Sequence, residues 1–82
     1  MPTIAEELAD KLAQDVIKAA EELGDDQLIE EIAQSIGASS TTTEEAFRTA
    51  IRVRMSEQRA RRLLKSKIAK AATAQNPSTD QG

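Results

Sequence analysis

Between Gly37 and Pro77 the chain contains no glycine and no proline, so nothing in that span obliges a helix to stop. The run opens on hydroxyls and carboxylates: Ser39, Ser40, Thr41, Thr42, Thr43, Glu44 and Glu45. Within it Thr41 with Glu44, or Thr42 with Glu45, stands at capping-box spacing. The expectation is one helix over residues 43–72, the longest element of the chain. From Ala74 onward the sequence loses apolar periodicity, and residues 74–82 read as a disordered tail.

Two shorter helices precede the long one. Thr3 and Glu6 fit a capping box, and Gly24 is placed to close the helix in the left-handed conformation. Between them Ile4, Leu8, Leu12, Val16, Ala20 and Leu23, with Ile17 alongside, recur at helical spacing and form one apolar stripe. This predicts a helix over residues 3–23. A second, over residues 26–36, starts at Asp25 or Asp26, whose carboxylates suit the free amides of a helix start. Its stripe is Leu28, Ile29, Ile32, Ala33 and Ile36, and Gly37 stops it. The fold class is all-α: a short helical hairpin plus a long C-terminal helix, in a single domain over residues 1–73.

How such a chain finds a core is a question of side-chain size. Its 82 residues include 16 of Leu, Ile, Val and Phe combined, against 14 alanines. Much of the interior must then be methyl groups, which gain little per contact. With no cysteine for disulfides or thiolate metal sites, a second copy is the available source of further apolar surface, so a homodimer completing a small helical bundle is expected. Absence of cysteine fits a reducing cytoplasm. No apolar run approaches a membrane span, and the start at Met1 lacks the basic and apolar segments of a signal peptide, so the expected location is soluble and cytoplasmic, with no membrane partner.

The net charge of −3 conceals an asymmetry. Residues 1–45 carry 12 acidic and 2 basic side chains, whereas residues 46–82 carry 9 basic and 2 acidic. Along the long helix Phe47, Ala50, Ile51 and Met55 continue a core stripe. Ser56, Glu57, Gln58 and Arg59 interrupt it, and Ala60, Leu63, Leu64, Ile68 and Ala71 resume one. The front of the helix therefore belongs to the domain, and the back is expected to project as a basic amphipathic segment. Two readings of the charge stand: the acidic and basic halves neutralise each other, within a chain or across a dimer, or the basic half meets an external acidic partner.

Chemistry has few candidates. Histidine, cysteine, tyrosine and tryptophan are all absent, and no lysine or carboxylate sits in an apolar context that would bring its pKa toward neutrality. The pairs Glu6-Glu7, Glu21-Glu22, Asp25-Asp26, Glu30-Glu31 and Glu44-Glu45 fall at helix starts or opposite a stripe. Around Asp25 and Asp26, Leu28 and Ile29 stand where a calcium loop needs oxygen ligands. The hydroxyls of residues 39–43 have no base to activate them, and Glu44 and Glu45 would repel a phosphate at that helix start. No catalytic, metal or cofactor-binding residue is expected, and no enzyme.

What remains is binding. The expected surface is Arg59, Arg61, Arg62, Leu63, Leu64, Lys65, Lys67 and Ile68, basic side chains around apolar anchors, which suits a helix laid into an acidic protein groove. The alternative is nucleic acid, since five basic residues between positions 59 and 67 suffice to neutralise phosphates. Residues 32–41 also resemble the first helix and turn of a helix-turn-helix, but Glu44 and Glu45 would then face the phosphates. An acidic pI of about 4.9 and a single aromatic residue, Phe47, weigh against that class.

Overall fold

In a computed structural model, which describes residues 2–75, the chain forms three helices in the order α1 (Ile4–Leu23), α2 (Leu28–Gly37) and α3 (Thr41–Gln75). The all-α expectation holds among these residues. Of the expected tail, Ala74 and Gln75 continue α3, and residues 76–82 lie outside the described part.

The helix ends show which local signals decided the boundaries. At the start of α1 the capping box forms as expected: Glu6 donates its amide to Thr3 Oγ1 at 3.1 Å, and the Thr3 amide donates to Glu6 Oε1 at 2.8 Å. At its end Gly24 takes φ 63°, and the Asp25 amide reaches back to the Ala20 carbonyl at 3.0 Å. Helix α2 begins two residues later than expected. Asp25 Oδ1 accepts from the Gln27 amide at 3.0 Å, so the aspartate closes a turn ahead of the helix rather than capping it.

Helix α3 begins two residues earlier than expected, because its cap is Ser40. That hydroxyl accepts from the Thr43 amide at 3.1 Å and donates to Thr43 Oγ1 at 2.9 Å. Neither expected threonine–glutamate box is used; Glu44 turns instead to Arg48. Gly37 also acts differently from the left-handed stop at Gly24. It lies within α2 without a positive φ, and a Cβ there would run into the Glu44 carboxylate. Its role is to leave room.

Ala9, Ala13, Val16 and Ile17 of α1, Ala33 of α2, and Phe47 and Ile51 of α3 make the buried cluster, with Phe47 its largest fully enclosed side chain. This corrects the expected α1 stripe. Ile4 (75% exposed), Leu8, Leu12 and Leu23 lie outside the core, while Ala13 (0%) lies at its centre. Apolar residues cover more than half the circumference of α1, and three-helix packing around Phe47 uses the half where small side chains permit close approach.

Candidate functional site

Helix α3 divides where the sequence stripe breaks. Phe47 and Ile51 are buried and Met55 packs on the core, but every residue from Arg59 through Ala74 is exposed. This projecting segment, here termed the arm, carries all eight of the expected binding residues. At about 1.5 Å per residue it extends roughly 24 Å past the core. It stays helical because it grows from a turn already fixed by the core, and because alanine, leucine, lysine and arginine are strong helix formers. Glu57 adds a local clamp, accepting from Arg61 Nε at 2.8 Å one turn on.

Ion pairing divides at the same place. Arg48 crosses to α2 with a bidentate grip on Glu30, at 2.8 and 2.9 Å, and also holds Glu44. Arg54 crosses to α1 and grips Asp10 through two bonds of 2.8 Å. These bonds hold the Glu30 carboxyl down at about 2, with Arg48 the larger influence and Gln34 the smaller, and lower that of Asp10 through Arg54. Acidic and basic halves thus neutralise each other only over the front of α3. Among the described residues, Arg59, Arg62, Lys65, Lys67 and Lys70 make no salt bridge.

The eight expected residues share the arm but not one face. Helical period aligns Ala60, Leu64, Ile68 and Ala71 with Val53 along one face, which Glu57 crosses between Val53 and Ala60, flanked by Lys67 on one side and by Arg61 and Lys65 on the other. Leu64 and Ile68 are 54% and 58% exposed. Leu63, next in sequence to Leu64, sits about 100° away from it, and Arg59 and Arg62 point to the far side. The arm therefore offers one narrow apolar line with charge on every other face.

Sequence reasoning missed what lies at the other end of that line. Followed toward its N-terminus, the seam passes Val53 into a groove between α1 and α3 that is floored by Ala46, Ala50 and Val53 and walled by Glu6, Asp10 and Glu45. Val53 is 61% exposed there. Its seven-residue offset from Ala60 was visible in the sequence, but the α1 carboxylates enter the groove only through the fold.

Among the described residues no group of three or more carboxylates gathers in a way that would hold a metal ion, and no helix is long and apolar enough to cross a membrane. In the segment resembling a helix-turn-helix, Glu44 and Glu45 occupy the first turns of α3, with Glu44 bound to Arg48. Comparison with protein-family models, curated proteins and solved structures finds no match.

Proposed function

We propose that the chain is a non-enzymatic docking module, in which the arm of α3 lays its Leu64–Ile68 seam into an acidic, apolar-floored groove on a protein partner. One observation carries this reading: a continuous stretch of helix, residues 59–74, is exposed along its whole length while presenting large apolar side chains in register. A helix made only to fill the domain would end near Gln58. Leu63, Leu64 and Ile68 gain nothing from water, and basic flanks give such a seam electrostatic steering toward a negatively charged partner. Self-association belongs to the same reading, since a homodimer would cover apolar surface that the thin core leaves outside.

Nucleic acid remains the second reading, favoured by the unpaired state of Arg59, Arg62, Lys65, Lys67 and Lys70 among the described residues. The apolar line through the arm ranks it second, because phosphates have no use for Leu64 and Ile68.

A photo-cross-linking amino acid placed at position 64 in cells separates these readings, with the same probe at the exposed Gln14 as control. A protein adduct formed from position 64 and not from position 14 is the expected result. A nucleic-acid adduct transfers the function to the second reading. Equal labelling at both positions overturns both.

A further inference from the structure

We infer that the groove which receives the arm is the one between α1 and α3 of a second copy of this chain, docked reciprocally with the two α3 helices antiparallel. This rests on the docking reading above and names its partner. The seam is one face of one helix, running from Ala46 through Ala50 and Val53 to Ala60, Leu64, Ile68 and Ala71, with Glu57, held by Arg61 of its own chain, on the same face between the two halves. Ala46 and Ala50 are recessed against α1, Val53 marks where the seam comes into the open, and the back half stands free, so the ends are complementary in shape: a groove floored by small residues, and a ridge bearing leucine and isoleucine.

They are also complementary in charge. Glu6, Asp10 and Glu45 wall the groove, while Arg61, Lys65 and Lys67 flank the ridge. Parallel alignment would set acidic against acidic and basic against basic. Antiparallel alignment sets opposite signs together at both ends and brings the two Glu57 side chains to the axis, each already paired with Arg61 of its own chain. A two-fold axis perpendicular to the helix pair keeps each flank on its own side. Lys67 then meets Glu45 of the second copy, and Lys65 meets Glu6 and Asp10 of the second copy, with Arg61, already holding Glu57 of its own chain, on the same flank. Glu45 forms no salt bridge within the chain among the described residues. Asp10 already holds Arg54, and its carboxylate remains half exposed for a further donor. One operation thereby covers two apolar ridges and fills two grooves.

Because the chain has no cysteine, single thiols report the arrangement directly. Ala50→Cys and Leu64→Cys lie about 21 Å apart along one helix by its rise, far beyond disulfide reach within a chain. Mixed and mildly oxidised, the two variants are expected to give a disulfide-linked heterodimer, while each alone stays unlinked. Val53→Cys mixed with Ala60→Cys, both exposed and opposite each other in the same register, replaces that pair if Ala50→Cys disturbs packing. Glu45→Lys and Lys67→Glu should each weaken the dimer several-fold, and both changes in one chain should restore it.

Linkage of Leu64→Cys to itself overturns the antiparallel dimer while leaving the arm a docking element. A sedimentation mass of 8.9 kDa, that of the single chain, at high micromolar concentration overturns self-docking altogether. The adduct at position 64 in cells then judges the docking reading by itself.

Discussion

The two inner glycines look interchangeable in the sequence and are not. Gly24 holds φ 63°, where a Cβ is strained although nothing crowds it, so Gly24→Ala should cost about 1 kcal/mol in chemical denaturation. Gly37 has an ordinary helical conformation and only the Glu44 carboxylate in the way. Gly37→Ala should therefore come out near neutral, the roughly 1 kcal/mol gained in helix propensity offsetting a displaced surface ion pair. At Phe47, the largest enclosed side chain, truncation to alanine should remove about 3–5 kcal/mol, enough to unfold a domain of this size. Acid acts through Glu30. Its folded carboxyl titrates at about 2 instead of 4.5, so it stabilises fully above its ordinary value and loses that contribution as pH falls from about 4.5 toward 2. Glu30→Gln should be less stable than the parent near neutrality, with the difference closing across that window in a circular dichroism titration.

At the scale of the helices, the arm and the core segment of α3 should answer differently to the same chemistry. Leu64→Asp with Ile68→Asp should leave helicity and the stability of the dilute chain within about 0.5 kcal/mol per site, since both side chains are already in water. Amides of residues 59–74 should exchange hydrogen far faster than those around Phe47. Element identity and the break in α3 were legible because glycines, the Thr3–Glu6 cap and the gap at Ser56 through Arg59 are local signals. What was not legible was the buried face of α1. Ile4, Leu8 and Leu12 outweigh Ala9 and Ala13 on any scale of hydrophobicity, yet packing chose the alanines because interhelical distance, not side-chain size, was limiting. For the same reason Gly37 could be read as a stop but not as space for Glu44. The arm was legible as a whole, whereas the division of its eight residues into one seam and several charged faces needed the groove to give the seam a direction.

Taken as one molecule, the chain measures 64 Å in its longest dimension, with a radius of gyration of 18.6 Å where a compact domain of this length has about 12 Å. Its core is confined to one end. Added salt should leave the core nearly unaffected, since surface ion pairs contribute about 0–1 kcal/mol each, and should weaken the proposed reciprocal dimer as screening lengths shrink to about 3 Å near 1 M. Sedimentation at two salt concentrations checks this. The exposed arm also bears on how long the protein lasts. A helix with little to hold it frays, and this one presents a lysine or arginine at nearly every turn, the residues at which trypsin-like proteases cut. A solitary copy carries its own cleavage sites in the open, and docking as proposed would shield them. Limited trypsin digestion should clip the solitary chain between Arg59 and Lys70 and spare the rest. Lifetime would then become a readout of occupancy, with copies that have found the proposed partner outlasting those that have not.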